Sequence, residues 1–413
     1  MRLLKRLRAV LKRNRVEKSE LPVQAMHVGE KPVIGIVVTT FDKGGLEQVV
    51  LNLYLGYKKS GYQTYMLCQE NILGVMAAGI EEGDLYVFNN NIDNFISFLY
   101  DRNITVLHYH YNTFGIEEIK RRGIHAIYTM HNVYTWKNDE EIKDYGRLLD
   151  HMDAVIPVSN LVKDYYIARA GVSNDKIKVI YNGIDFDELE LTQLPETLER
   201  KSLGINDEDI VIGYVASFYP VKYQIGMIGV MEELVQKYRN IKLLYIGNSE
   251  NEYYQKFLSV YKKSPAKDYM QVVPYFEHKY MGEFLRRVVD IFTLPTLQEG
   301  CSNAVLEAIY CNKPMVLTNV GNAMDVEYLP GCEVVRTAYD NVITTSNARM
   351  IQMSAQKDSA NKKELVEAFS KIIEKLEEYN QKAALERKDK EIYATDYMVK
   401  QYMDIIESIH KGQ

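Results

Sequence analysis

The sequence predicts an α/β protein built from two successive doubly wound units, each a parallel sheet covered by helices on both faces. Three observations predict it. At 413 residues the chain exceeds one ordinary core and suits two domains of about 150 to 200 residues. From about residue 32, β-branched runs alternate with amphipathic segments, the pattern of strand and crossover helix. The alternation stops at Asn182-Gly183-Ile184-Asp185 and the acidic stretch 187–199, then restarts.

In the first unit, residues 33–39 read as a buried strand, and the pair Gly44-Gly45 opens a helical pattern that runs to Lys59. Further strands are expected over 63–68, 104–108, 125–130, 154–158 and 176–181. In the second unit they are expected over 209–216, 242–246, 271–273, 290–294 and 314–318, with helical segments between. Residues 362–410 read as two charged amphipathic helices without a strand. Doubly wound sheets bind ligands at the carboxyl ends of their strands, so two of them in series suggest a cleft between domains.

Composition narrows the class. Hydrophobic residues make up 46% and charged residues 26%, with only 10 Pro and 24 Gly, which excludes a disordered chain, a collagen-like fibre and a mucin-like stalk. The formal charge of −6 is unevenly placed. Residues 1–18 hold eight basic side chains (Arg2, Lys5, Arg6, Arg8, Lys12, Arg13, Arg15, Lys18) against Glu17, a local +7 that leaves −13 on the remaining 395 residues. Leu3, Leu4, Leu7, Val10 and Leu11 fall at helical spacing within this segment, as in a helix lying on anionic headgroups; a solvated tail is the alternative. The acidic body argues against nucleic acid as a partner. Arg6, Arg8 and Lys12 interrupt any secretory apolar stretch, and no run of 18 uncharged apolar residues occurs to span a membrane. Cys68, Cys301, Cys311 and Cys332 are scattered without metal-ligand spacing, so a reducing, cytoplasmic setting is expected, with peripheral contact at the inner face of the cell membrane.

Four segments are candidates for chemistry. The first, Thr39 to Glu47, runs from a strand into Gly44-Gly45 at a helix start. It reads as either a tight turn or a phosphate cradle, and it is neither GxGxxG nor a P-loop. The second places His131 at the carboxyl end of a strand, facing the crevice or held structurally. The third places Ser217 and Lys222 after the first strand of the second unit, where the lysine is an exposed helix-start residue or a point charge for a diphosphate. The fourth and most informative is Pro295 to Glu307. Gly300 permits a sharp loop, Ser302 or Asn303 caps a helix whose free N–H groups can receive phosphate, and Glu299 and Glu307 are suited to bidentate hydrogen bonding of vicinal diols.

Glu299 and Glu307, spaced as EX7E in the run "EGCSNAVLEA…NKPMVLTNVGNAMDVE", resemble the motif of retaining glycosyltransferases, family 4 in particular. Gly44/Gly45/Glu47, Thr129/His131, Val158/Ser159, the stretch 176–185 and Lys222 follow the family's order across residues 32–335. The resemblance implies the GT-B fold, two Rossmann-like domains facing a central cleft. It divides the chain into a basic extension (1–30), an acceptor-side domain (31–190), a donor-nucleotide domain (191–375) and C-terminal helices (376–413), the last crossing back to the first domain.

By position it implies that Glu307 binds the ribose diol, Glu299 the hydroxyls of the donor sugar, and the backbone of Gly300, Ser302, Asn303 and Ala304 the phosphates. Lys222 would neutralise the departing diphosphate, with Ser217 beside it and Gly44-Gly45 opposite. His131 would contact the sugar near the reaction centre, so Glu299, His131 and Lys222 are the implied catalytic residues. It further implies a nucleotide-diphosphate sugar as donor, a cell-surface glycan, glycolipid or lipid-linked acceptor, no cofactor and no divalent metal.

One departure stands out. Ser217 occupies the place where the family usually carries Arg, which removes a bidentate clamp and leaves the charge to Lys222 or a cation such as Lys43. That departure keeps a non-catalytic GT-B subunit open as an alternative, and a GT-B sugar-nucleotide epimerase is a third. Tyrosines supply 32 of 45 aromatics and read as scaffold; Trp136, the sole tryptophan, follows the His131 strand and is a candidate for the acceptor entrance.

Overall fold

A computed structural model describes residues 18–412 apart from 25, 27, 28, 191, 248–250, 274 and 275. The basic side chains from Arg2 to Arg15 and the apolar stripe from Leu3 to Leu11 lie outside the described residues. The described residues form two wholly parallel six-stranded sheets. The first contains β1 (Ile34–Val38), β2 (Thr64–Cys68), β3 (Leu85–Val87), β4 (Val106–His110), β5 (His125–Met130) and β6 (Ala154–Pro157), ordered β3-β2-β1-β4-β5-β6. The second contains β7 (Ile210–Val215), β8 (Ile241–Ile246), β9 (Met270–Val273), β10 (Ile291–Leu294), β11 (Met315–Thr318) and β12 (Cys332–Val335), ordered β12-β11-β10-β7-β8-β9. In each sheet the winding reverses beside its first strand, between β1 and β4 and between β7 and β10. Those two switch points are where a doubly wound sheet opens a crevice; Gly44-Gly45 follows β1, Lys222 follows β7 and Glu299 follows β10, while His131 follows the neighbouring β5.

The continuous apolar runs are explained by burial on both faces. All five residues of β1, β2 and β4 are buried, as a parallel sheet under two helical layers requires. One layer of the first unit packs Ile34, Ile36 and Val38 against the helix Gly45–Lys59 through Val49, Val50, Leu53 and Tyr57. Met398, Val399, Tyr402 and Ile406 of the last helix, Thr395–Lys411, join the same cluster. Gly56 permits that approach, because a β-carbon there would collide with the Val399 side chain. The last helix is anchored at its start by Ile184 N donating to Tyr393 O (2.9 Å) and Thr395 N donating to Ile184 O (3.0 Å) at the domain junction.

Three local expectations differ from the structure. Residues 176–181 run beside β6 without a ladder: Lys178 N and Ile180 N donate to Val155 O and Pro157 O (3.2 and 3.1 Å), but Pro157 has no N–H to return a bond. β3 and β12 are additional edge strands whose three and four residues are too few for a periodic signal. The tail divides into Lys362–Glu374, Leu376–Ala383, Arg387–Lys390 and Thr395–Lys411 rather than two helices. Among the described residues no helix is long and apolar enough to cross a membrane.

Candidate active site

The second unit contributes a loop that is tied down on every side. After β10, Thr296 Oγ1 donates to Val221 O (2.6 Å) and Leu297 N to the same carbonyl (2.7 Å), which clips the Glu299 loop to the turn carrying Lys222. Ser302 caps the helix Asn303–Tyr310, its Oγ accepting from Val305 N (3.4 Å), and Ser302 N donates to Asn322 Oδ1 (2.9 Å). Gly321, in the left-handed region at φ 57°, lies against this loop, where a β-carbon would press on Gly300 O at 2.6 Å. So held, the Glu299 carboxylate forms a direct ion pair with Lys222 Nζ. Ser217 is exposed on the loop after β7, and its carbonyl accepts from Gln224 Nε2 at 3.0 Å. Asn303 and Ala304, in the first helical turn, are partly accessible.

The first unit supplies the opposite wall. His131, just beyond β5, is buried and hydrogen-bonded through Nε2 to His110 Nδ1 at 2.7 Å. Burial pulls His131 down to about 3 and holds His110 and His108 well below the histidine range, so all three rings are neutral at physiological pH. Gly44 and Gly45 are exposed at the start of a helix whose N-cap makes no side-chain bond, with the Glu47 carboxylate lying against Gly44. A β-carbon on Gly45 would lie 4.0 Å from Asn303 Nδ2, so the N-termini of the two helices face one another across the gap. Two helix N-termini and one lysine, the latter paired with Glu299, thus lie together at the cleft.

The walls touch. A β-carbon at Gly300 would run into the His131 carbonyl, and Asn132 Cα lies 3.2 Å from the same point. Gln298, buried beside Glu299, donates through Nε2 to Val133 O (2.8 Å) and Asn132 Oδ1 (3.3 Å), and its Oε1 accepts from Thr135 (2.7 Å). Asn182 from the domain junction donates to Cys301 O (2.9 Å) and Asn303 Oδ1 (3.0 Å). Asn160 donates through its N and Nδ2 to Asp325 (3.0 and 2.8 Å), which places a carboxylate at the start of the helix Asn160–Ala170.

Glu307 lies deeper, nearly buried, and has its own partner. His278 Nε2 donates to it at 2.9 Å while Nδ1 donates to Glu188 at 3.1 Å. Hydrogen bonds to Glu188 and Glu307 push His278 up to about 10, against burial, so the ring is an imidazolium with both nitrogens donating.

The structure thus brings Glu299, Lys222, Gly300 and His131 to one seam and places Gly45 opposite Asn303. Glu307 sits behind that seam with His278. Sequence reasoning missed Gln298 and His278, and read Asn182 only as part of the domain junction. Gln298 had a signal, adjacency to Glu299. His278 had none, since its partners are 90 and 29 residues away.

Residues 43–188 match the family described as Glycosyltransferase Family 4, and residues 195–328 match the one described as Glycosyl transferases group 1. The chain belongs to glycosyltransferase family 4. Among the relatives of this family 4 member, the phosphatidylinositol N-acetylglucosaminyltransferase GPI3 subunit of Saccharomyces cerevisiae is 23% identical over 215 residues, 51% of this chain and 46% of the relative. The capsular polysaccharide biosynthesis glycosyltransferase CapM of Staphylococcus aureus is 28% identical over 180 residues, 41% of this chain and 44% of the relative. The chain spans about half the length of these curated relatives. Its GT-B architecture is shared with a Rickettsia africae glycosyltransferase (TM-score 0.71, 17% identity, 93% of this chain and 100% of that one). It is shared too with Anabaena Alr3699/HepE solved with UDP and glucose (TM-score 0.70, 15% identity, 91% and 99%).

Proposed function

We propose that this chain is a nucleotide-sugar-dependent, retaining hexosyltransferase acting on a cell-surface glycan, glycolipid or lipid-linked acceptor. The observation that carries the reading is the Lys222–Glu299 pair, set at the seam where the Gly300 loop meets the His131 strand end and flanked by two helix N-termini. The departing nucleoside diphosphate is the charge that must be stabilised, and fixed N–H groups with Lys222 do so without reorganisation. In this reading Glu299 takes sugar hydroxyls, Glu307 the ribose diol, and the backbone of Gly300, Ser302, Asn303 and Ala304 the phosphates. Gly44 and Gly45 approach from the other wall, neutral His131 donates or accepts one hydrogen bond at the sugar, and no divalent metal or cofactor is required. Contact between walls excludes water from the reacting carbon.

A panel of nucleotide sugars scored by nucleoside diphosphate release tests the reading, with one donor expected to be consumed and Glu299→Ala expected to abolish it. Silence across the panel would overturn it. Ser217 in place of the family Arg favours a second reading, a non-catalytic subunit, which predicts donor binding without turnover. An isomer formed without acceptor would instead mark an epimerase.

We also propose that residues 1–18 hold the enzyme on the anionic inner face of the cell membrane, given their +7 charge and apolar stripe. In liposome flotation with anionic lipid, the full chain should float and the chain lacking residues 1–18 should not. Equal flotation would sink this proposal.

A further inference from the structure

A line of rings leads away from His131. Tyr111 stacks on His131 with centroids 5.5 Å apart and planes 24° off parallel. Tyr134 stacks on Tyr111 at 5.5 Å and 20°, and Trp136 packs on Tyr134 at 4.6 Å. Tyr134 is buried, at 3% exposure, whereas Tyr111 and Trp136 at its two ends are 38% and 43% exposed. Two partly exposed rings therefore flank a buried central one, in a line that runs from His131 to solvent.

Three features set this line apart from packing. Tyr111 is held at φ 50°, in the left-handed region where a bulky aromatic is an outlier, directly after β4. Its phenol is driven up by burial, by Tyr128, and by the Glu299 and Glu47 carboxylates, which belong to opposite walls of the cleft. The loop bearing Trp136 is tied to the donor-side loop, since Thr135 donates to Gln298, the neighbour of Glu299.

Resting on the glycosyltransferase reading above, we propose that Tyr111 and Trp136, held in place by the buried Tyr134 between them, form the acceptor subsite, their exposed surfaces receiving the pyranose rings of a saccharide whose terminal hydroxyl is thereby brought beside His131. A pyranose has the matching surface: its C–H face covers an aromatic ring while its rim of hydroxyls seeks polar partners. The rim here is polar. Lys137 Nζ sits 5.9 Å above the Tyr134 ring and 5.0 Å above Tyr145, and Asn138 follows it. An acyl chain would desolvate that ammonium without replacing its hydrogen bonds, whereas sugar hydroxyls would replace them.

Trp136 is the only tryptophan in the chain and thus reports on its own surroundings. The full chain is titrated with the methyl pyranosides of glucose, galactose, mannose and N-acetylglucosamine while Trp136 emission is followed. At least one glycoside should give a saturable change, weakened about tenfold in Tyr111→Asn, a side chain that tolerates the left-handed turn while deleting the ring. With the matching acceptor, Trp136→Ala should raise its KM about tenfold. The proposal falls if no glycoside alters the emission, if Tyr111→Asn responds like the wild type, or if only phosphatidylglycerol vesicles produce the change. Failure of the glycosyltransferase reading is a separate result, absence of nucleoside diphosphate release by the wild type, and the emission titration is decided without it.

Discussion

Lys222→Ala is expected to lower the rate of donor turnover by about 10²- to 10³-fold, the loss that follows removal of one preorganised charge stabiliser from a transition state. Two effects point the same way. The variant loses the side-chain cation shown at the seam, where Ser217 supplies no guanidinium to replace it. It also strips Glu299, whose side chain is mostly buried, of its ion-pair partner, so an uncompensated carboxylate then faces the incoming diphosphate. The second effect is separable. In Lys222→Ala/Glu299→Gln the repulsion is gone, and donor KM should recover relative to Lys222→Ala while kcat stays low. Steady-state kinetics on the consumed donor decide it, and full turnover by Lys222→Ala would remove Lys222 from the catalytic role.

Gly300→Ala is expected to reduce kcat by about 10²-fold, because sub-ångström placement of reacting groups is worth that much. A β-carbon at this position meets the His131 carbonyl and Asn132 Cα, both main-chain atoms with no rotamer through which to yield. Either the Glu299 loop or the His131 strand end must move, and each carries a group of the site. Overpacking at a formed interface also costs about 1 to 3 kcal/mol, so the urea midpoint should fall with no change in m. Wild-type kcat in a stably folded Gly300→Ala protein would show that the contact between walls does not position the chemistry.

The fold was legible because its signals are local. A parallel strand buried on both faces is nearly continuously apolar, so β1 was visible as a run. Residues 176–181 look like another such run. They fail to form a ladder through one atom missing from a neighbour, the Pro157 N–H, which a strand propensity does not encode. β3 and β12 were lost for the opposite reason, being too short to show a period.

The site divides in the same way. Glu299, Gly300, Ser302 and Lys222 were readable because each lies just after a strand, where a doubly wound sheet presents its ligand groups. Their partners were not. Nothing in the spacing announces that Glu307 is paired with His278, that His278 is made an imidazolium by Glu188 as well, or that Gln298 reaches across to Val133. Those relations depend on which side chains meet when two domains close on each other, and sequence distance carries no information about that.

By itself the sequence determined the two doubly wound units, which follow from periodicity along contiguous stretches, while the family and the candidate site residues came from the resemblance carried by the EX7E run and the motifs around it. Only the tertiary structure decided which charges neutralise one another and which rings are left open. An ion pair, a shifted proton and an exposed aromatic face are properties of atoms a few ångströms apart in space, whatever their separation along the chain.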